Sequence, residues 1–416
     1  MRVVILGAGY GGIRLAIELE RRLHRGPWKG QVVLVDQSPL HQLVTEMHQV
    51  AAGSVLSDFA AVPLARILGG KRVAFRQATV TWFDLASHRV RTTQGDLIYD
   101  VLVLGLGGEV DYFDLPEPRI PGLRQHAVGI QTMQQANTVQ ARLQEAVYRY
   151  SKEAAKGAKP LMLVIGGGGM TGVEMAGQLA DEAVEWRKEY GLSADAIQVT
   201  LVEAQERLLP GMHPQIAGYA ASVLQRKGVT IRLRTAISRV EPGDPGQASM
   251  PGGVIRLVLA SGEEIPAGML IWAGGVRGPS IVATSGLHLD PKGRVAVNGY
   301  LQAQGHGEVY ALGDCALVLD PRTGQPCPPS ARLAVDEAVW LSRYLTKEWV
   351  LPFVPHTTGA VISLGEGSAV AGVGRLRFFG RLASLLKTLI TMKYLYSIGG
   401  LRLLFYQLRI GVIGKI

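Results

Sequence analysis

The sequence predicts an α/β protein made of two nested Rossmann-like folds and an amphipathic helical tail. Three observations predict it. A strand, a glycine turn and a helix follow one another at the N-terminus. The same pattern recurs 160 residues on (167 − 7). The last 50 of the 416 residues mix basic and apolar side chains with no acid.

The first copy is Arg2-Val3-Val4-Ile5-Leu6, an apolar strand, running into Gly7-Ala8-Gly9-Tyr10-Gly11-Gly12. A helix is expected from about Ile13 to Arg22, with Leu15, Ala16, Leu19 and Leu23 at helical spacing. The second copy is Leu161–Ile165 followed by Gly166–Gly172. The copies align without gaps, pairing Gly7 with Gly167, Gly9 with Gly169, Gly12 with Gly172 and Arg14 with Glu174. A Gly-x-Gly-x-x-Gly after a strand is the dinucleotide fingerprint. The first glycine makes the tight turn, the second admits the pyrophosphate, and the third lets helix and strand approach. The helix N-terminus then offers unpaired N–H donors and partial positive charge to the phosphates. One such match in a chain of 52 glycines is weak; two in register are not.

Each copy leads to a second strand that ends in an acid. Gln31–Val35 ends at Asp36 and Gln198–Val202 at Glu203. An acid there suits a ribose 2′-hydroxyl. At Glu203 it also repels a 2′-phosphate, which favours NADH over NADPH. The 29 residues from Gly7 to Asp36 exceed the usual spacing, an excess assigned to the turn Gly26–Gly30 around Trp28. Residues 71–104 read as a meander, with runs at Arg72–Phe75, Ala78–Phe83, Arg89–Thr92 and Leu97–Leu104, returning to a parallel strand over Tyr99–Leu104. Pro116, Pro118 and Pro121 mark a linker, and 132–156 reads as a helix leading to the second glycine turn. Further strands are expected at Thr230–Leu233, Ile255–Leu259, Met269–Trp272, Arg294–Val297 and Val309–Leu312. The domain plan is 1–118 for the first fold, 119–275 (core 160–275) for the second, 276–340 for the return to the first, and 341–416 for the tail. Two dinucleotide folds call for two dinucleotides, one of which can be a resident flavin, with electron flow between them.

Composition bounds the rest. With 47% hydrophobic and 19% charged residues the chain is a folded protein. Two cysteines, Cys315 and Cys327, make no disulfide framework and no four-cysteine metal site, and no metal is expected. The net charge of +9 is concentrated in the tail. Arg375, Arg377, Arg381, Lys387, Lys393, Arg402, Arg409 and Lys415 contribute +8 after Gly367, leaving 9 − 8 = +1 for the remainder. Interleaved with Leu, Ile, Phe and Tyr, that charge suits an anionic membrane surface and not a nucleic acid. No run reaches 18 apolar residues, so no spanning helix is expected, and no secretory leader is expected before the first strand. Leu382, Leu385, Leu386, Leu389 and Ile390 lie at i, i+3, i+4, i+7 and i+8, and a second apolar run, Leu401–Leu408, follows a break at Gly399-Gly400. Packing on the protein's own body or in a homodimer is the other use of such a face.

The run Val3–Gly12, Leu104–Gly107, Gly166–Glu174, Trp272–Val276 and Tyr310–Asp314 together resemble the two-dinucleotide-binding flavoproteins. Within that family, His41–Gly53 and Tyr394–Gly400 are similar to type II NADH:quinone oxidoreductases. The resemblance covers nearly the whole chain. It implies tightly bound, non-covalent FAD on Gly7, Gly9, Gly12, Asp36, Thr45, Val80, Gly313, Asp314 and the helix start at Ala331. It implies NADH on Gly167, Gly169, Gly172, Glu174, Glu203 and Gly275, and a membrane quinone (menaquinone or ubiquinone) as acceptor at the cytoplasmic face of the cell membrane. A tail lysine would reach the flavin and quinone region, Lys387 before Lys393, with Ile390 beside it, and Glu174 would border the nicotinamide. One departure stands out. Where the family has Ala-Gln-x-x-x-Gln, two glutamines facing the quinone, this chain has Ala331-Arg332 and, four residues on, Asp336; the resemblance puts Arg332 and Asp336 at the quinone, where they can also pair with each other at i,i+4. Sulfide:quinone oxidoreduction is disfavoured for want of suitable cysteines. The sequence also admits reduction of a soluble acceptor, or a redox-sensing role as an NADH-binding protein.

Overall fold

A computed structural model describes residues 1–25, 30–115, 117–154, 157–243, 255–356 and 359–413. The expected turn around Trp28 and Pro116 lie outside the described residues. Ten strands frame the two folds. In chain order they are β1 (Arg2–Leu6), β2 (Gln31–Asp36), β3 (Val73–Gln77), β4 (Val101–Leu104), β5 (Ala127–Val128), β6 (Leu161–Gly166), β7 (Ile197–Val202), β8 (Thr230–Arg232), β9 (Met269–Trp272) and β10 (Val309–Ala311). The first sheet is parallel, in the order β10-β4-β1-β2-β3. The second is also parallel, in the order β5-β9-β6-β7-β8. Strands buried on both faces read as continuous apolar runs, and Val3–Leu6 and Leu163–Ile165 are each fully buried or nearly so.

Six helices position the site: α1 (Tyr10–Arg25), α2 (Met47–Ala52), α3 (Met133–Ala154), α4 (Met170–Glu189), α5 (Ala331–Leu345) and α6 (Gly380–Ile413). The glycine strand is central in both sheets. Leu6 pairs with Val35 and Leu104, and Gly166 pairs with Val202 and Trp272. Gly7, Asp36 and Gly105 therefore leave one sheet edge together, as Gly167, Glu203 and Ala273 leave the other. Those carboxyl ends are where ligands bind in open α/β sheets.

Four expectations change. The run Leu97–Leu104 divides: Gly95–Ile98 belongs to the antiparallel meander, while the parallel strand expected over Tyr99–Leu104 is present as Val101–Leu104. Both cannot be one strand because they belong to different sheets; Asp100, at the break, accepts the Arg2 N–H at 2.5 Å. Arg72–Phe75 is not the first arm of that meander, since Val73–Gln77 extends the parallel sheet beside β2. Arg294–Val297 reduces to a two-residue strand, Val295–Ala296, because Arg294 folds back onto Asp290 at 2.7 Å. The α1 helix also starts earlier than its apolar spacing shows, at Tyr10.

The tail helix α6 is broken at Gly400, which has φ +67° and ψ −164°. A left-handed φ is the reason a glycine stands there. No described helix is long and apolar enough to cross a membrane.

Candidate dinucleotide cradles and the buried junction between them

The two glycine turns are built alike. Gly7 and Gly167 have φ of +99° and +109°, closed to side chains. A Cβ at Gly12 would strike the Gly7 carbonyl oxygen, and one at Gly172 the Gly167 carbonyl oxygen. The middle glycines differ. A Cβ at Gly9 or Gly169 would meet nothing within 4 Å, so the space beside each is open. It lies where helix N–H groups and the positive end of the dipole point, with no acid in the first turn of α1 or α4. This geometry fits a pyrophosphate in each cradle.

The strand-end acids are tied to the glycine turns themselves. Asp36 accepts the Ala8 N–H at 2.6 Å and the Ser38 N–H at 2.8 Å. Glu203 accepts the Gly168 N–H at 2.5 Å and the Gln205 N–H at 2.7 Å. Each carboxylate thus braces its glycine turn against the neighbouring strand. Burial pushes the Asp36 carboxyl up against those hydrogen bonds.

The return of the chain completes the first cradle. Gly313, with φ +69°, donates its N–H to Glu337 Oε2 at 2.6 Å, and Asp314 beside it is pushed up by burial despite Arg294. Ala331 opens α5, whose Ser330 cap accepts the Leu333 N–H at 3.2 Å. Gly275 lies against Asp111, which donates its N–H to the Gly275 carbonyl at 3.0 Å. Val80 opens the meander two residues after Ala78, which bonds the Asp36 carbonyl.

Between the cradles lies a buried polar junction drawn from five segments. Glu174, on α4, accepts Lys387 Nζ at 2.9 Å and the Ser363 N–H at 3.1 Å. His48 Nδ1 lies 3.8 Å away. Lys387, on α6, is also 3.8 Å from Glu46, which caps α2. Glu46 is held by Gln49 at 2.5 Å and by Thr391 at 3.3 Å. Thr45 lies 3.4 Å from Glu46 and 3.0 Å from the Tyr10 hydroxyl at the start of α1. The Tyr10 ring lies 4.6 Å from that of Tyr394 on α6. Tyr394 bonds His41 Nε2 at 2.8 Å, and His41 Nδ1 reaches the Ala8 carbonyl at 2.8 Å. A continuous set of contacts therefore runs from the first glycine turn to α4, the helix that follows the second.

The electrostatics follow from burial and pairing. Burial raises the Glu174 carboxyl, but the Lys387 charge and the hydrogen bonds from Lys387 and the Ser363 N–H outweigh it and hold it below its ordinary value. Burial would lower Lys387, but Glu174 and Glu46 raise it. Glu46 goes the other way, pushed up by burial more than Lys387 pulls it down. Burial lowers His48 to about 3, with Lys387 adding to it, and His41 to about 4, so both are neutral imidazoles at pH 7.

Among the expected residues, the structure brings Glu174 and Lys387 together and sets Thr45 near them. Glu174 is the fifth residue of α4, beyond its first turn, so capping does not account for it. Lys393 is exposed, as is Ile390 at 48%. Arg332 and Asp336 pair with each other at 2.7 Å, with Arg332 58% exposed, and neither bonds to the buried junction among the described residues. Sequence reasoning passed over Glu46, His48, His41, Tyr10 and Tyr394. All lie within the first glycine turn, His41–Gly53 or Tyr394–Gly400, and an acid and two histidines within His41–His48 are the signal that could have singled them out. Cys315 is buried with its thiol on the Leu104 and Leu312 carbonyls, pushed up by burial to about 12, and Cys327 is also buried and free. Among the described residues no cluster of three or more His, Cys, Asp or Glu forms a metal site.

Two open glycine cradles on matched parallel sheets, joined by a buried ionic junction, define a two-dinucleotide oxidoreductase scaffold. The chain belongs to the pyridine nucleotide-disulphide oxidoreductase family, which it matches over residues 1–338. It is 28% identical over 408 residues to a type II NADH:quinone oxidoreductase of Staphylococcus epidermidis, covering 97% of both chains. A protein of that name from Staphylococcus aureus is equally similar, again over 97% of both chains. Its fold matches the structure of NDH2 from Plasmodium falciparum in complex with NADH, with a TM-score of 0.80 at 16% identity over 100% of this chain and 99% of that one. It also matches sulfide:quinone oxidoreductase from Aquifex aeolicus, with a TM-score of 0.75 at 19% identity over 96% and 91%.

Proposed function

We propose that this protein is an FAD-dependent NADH:quinone oxidoreductase that works by a ping-pong cycle at a membrane surface. The reading is supported above all by α6. One face of that helix delivers Lys387 to Glu174 between the two cradles, and the other turns large apolar residues outward. End-to-end similarity to proteins named for this activity agrees with it.

Bound FAD supplies hydride acceptance from NADH and two-electron delivery to the quinone. The residues do the positioning. Gly7, Gly9 and Gly12 seat one pyrophosphate and Gly167, Gly169 and Gly172 the other. Asp36 and Glu203 brace the turns and face the riboses; the acid at Glu203 disfavours a 2′-phosphate. Glu174 and Lys387 form a dry ion pair that borders the nicotinamide and quinone positions, keeping water out and charge balanced. Arg332 donates toward the quinone side in place of the family's glutamine. Without spanning helices among the described residues, the scaffold offers no path for coupling the reaction to proton pumping.

The foot is the α6 surface. Leu382, Leu385, Leu389 and Ile390 are 48–59% exposed, while Ala383, Leu395 and Ile398 are buried against the body. Its basic, acid-free sequence suits the cytoplasmic face of the cell membrane, and a homodimer contact is the other use of these leucines.

The test is anaerobic mixing with NADH and then with a short-chain menaquinone or ubiquinone. NADH should bleach the flavin and quinone should restore its colour. Bleaching without reoxidation by either quinone would exclude quinone reduction and favour an NADH sensor.

A further inference from the structure

The two glycine turns repeat each other's hydrogen bonds with one exchange. Gly7 and Gly167 donate their N–H groups to the Val35 and Val202 carbonyls at 2.7 Å and 2.8 Å. The Gly9 and Gly169 carbonyls accept the Ile13 and Val173 N–H groups at 3.1 Å and 3.0 Å. Asp36 and Glu203 hold the N–H groups of the aligned residues Ala8 and Gly168. The carbonyls of those two residues differ in partner. Gly168 accepts the backbone N–H of Leu209 at 2.8 Å, from the loop that follows Glu203 in the same fold. Ala8 accepts His41 Nδ1–H at 2.8 Å, and His41 Nε2 meets the Tyr394 hydroxyl at 2.8 Å. The second turn is closed by its own backbone, the first by a side chain and the tail helix.

Chemistry fixes the direction of this relay. A carbonyl only accepts, so Nδ1 carries the proton. Burial keeps the imidazole neutral, with a single N–H, so Nε2 accepts and the Tyr394 hydroxyl donates. His41 is fully buried on the short strand Leu40–Gln42, which pairs with Ala61–Pro63. Its ring lies 5.3 Å from that of Tyr10 and 5.7 Å from that of Tyr394. The ring cannot swing away without leaving buried polar groups unpaired, which is costly. In a planar trans peptide the C=O and the following N–H point in opposite directions. Holding the Ala8 carbonyl against the buried ring therefore turns the Gly9 N–H outward, and Gly9 is exposed with open space beside it.

We propose that His41 and Tyr394 are positioning residues for the FAD pyrophosphate, aiming the Gly9 N–H at it and making α6 part of the flavin site. The inference rests on the seating of FAD in the first cradle proposed above. It separates the two cofactors. Flavin retention depends on a tail residue remote in sequence from the first fold, whereas the NADH cradle is closed by Leu209 and needs nothing from Tyr394.

The test follows flavin release from the full-length flavoprotein. After gel filtration into flavin-free buffer, Tyr394→Phe and His41→Leu should lose FAD about tenfold faster than wild type, the effect of one lost hydrogen bond. His41→Asn, whose amide can take the place of the Nδ1–H, should retain flavin better than His41→Leu. Reconstituted Tyr394→Phe should keep the wild-type affinity for NAD⁺. Wild-type release rates in Tyr394→Phe and His41→Leu, with Gly9→Ala losing its flavin, would overturn the relay. Equal release from His41→Asn and His41→Leu would overturn the role of the Nδ1–H. A matching loss of NAD⁺ affinity in Tyr394→Phe would overturn the restriction to one cradle. Should His41→Leu fail to fold, Tyr394→Phe, which removes a single oxygen, decides alone. Full flavin in Gly9→Ala overturns the seating of FAD on which the inference rests.

Discussion

Glu337 illustrates how far one buried carboxyl can set behaviour without touching a substrate. Its Oε2 accepts the Gly313 N–H, its Oε1 has no partner among the described residues, and burial pushes it up to about 8. A carboxyl raised in this way keeps its proton in the folded state where the unfolded chain, with a pKa of about 4.3, has lost it. Stability is therefore highest below that value, falls as pH rises, and has lost this contribution completely above about 8. Glu337→Gln keeps an oxygen for Gly313 and cannot ionise. It should flatten this part of the pH profile of stability and gain up to about 5 kcal/mol in alkaline buffer. Melting temperatures taken from acid to alkaline pH check this; parallel slopes for the two proteins would remove Glu337 from the account. Glu337 was not legible as unusual in the sequence, and Glu46 only through the histidines near it. A helix position and an acid become a buried titrating group only when other segments close over them.

At the scale of the element, the glycine turns make a sharper distinction than their motif. Gly12→Ala would collide with the Gly7 carbonyl, whereas Gly9→Ala meets no protein atom within 4 Å. Gly12→Ala should therefore impair folding. Gly9→Ala should leave a folded chain that loses FAD, because the methyl group occupies the open cradle. In the second copy, Gly169→Ala should raise the KM for NADH about tenfold or more, as if one pyrophosphate interaction worth roughly 1.4 kcal/mol were lost. Flavin content per protein and NADH titrations read both outcomes, and a Gly9→Ala protein with full flavin would refute the cradle. The motif and its duplication were fully legible because a strand, turn and helix are specified within some fifteen contiguous residues. The roles of Asp36 and Glu203 were only half legible. Their spacing marked them as strand-end acids, but their bonds to Ala8 and Gly168 arise across a sheet.

Across the whole molecule, α6 ties the two folds together and turns a surface outward. Its body-facing side carries Ala383, Lys387, Thr391 and Tyr394, and its exposed side carries most of the leucines of the apolar stripe. An amphipathic helix packed on its own protein does the reverse. Past the Gly400 kink, Gln407 donates to the Phe59 carbonyl and Arg66 lies 3.9 Å over the Tyr406 ring, so the second arm is anchored to the first fold while Leu401 and Phe405 stay exposed. Leu385→Ser with Leu389→Ser should weaken sedimentation with anionic vesicles without changing the melting temperature, since neither side chain is buried. Added salt should weaken binding further through the basic residues. Unaltered vesicle binding by the double variant would instead assign these leucines to a contact between protein copies.

By itself the sequence determined what depends on neighbours along the chain: two parallel-sheet folds, their glycine turns, the strand-end acids and a basic, apolar tail. Tertiary structure alone decided which face of that tail meets the body, that Lys387 rather than Lys393 enters the junction, and that Glu46 and Glu174 share it. Arg332 and Asp336 show the same division, their pairing readable from a four-residue spacing and their separation from the junction not. The physical reason is that backbone turns and hydrophobic period are local, whereas the charge state of a buried group is set by every segment that excludes water from it.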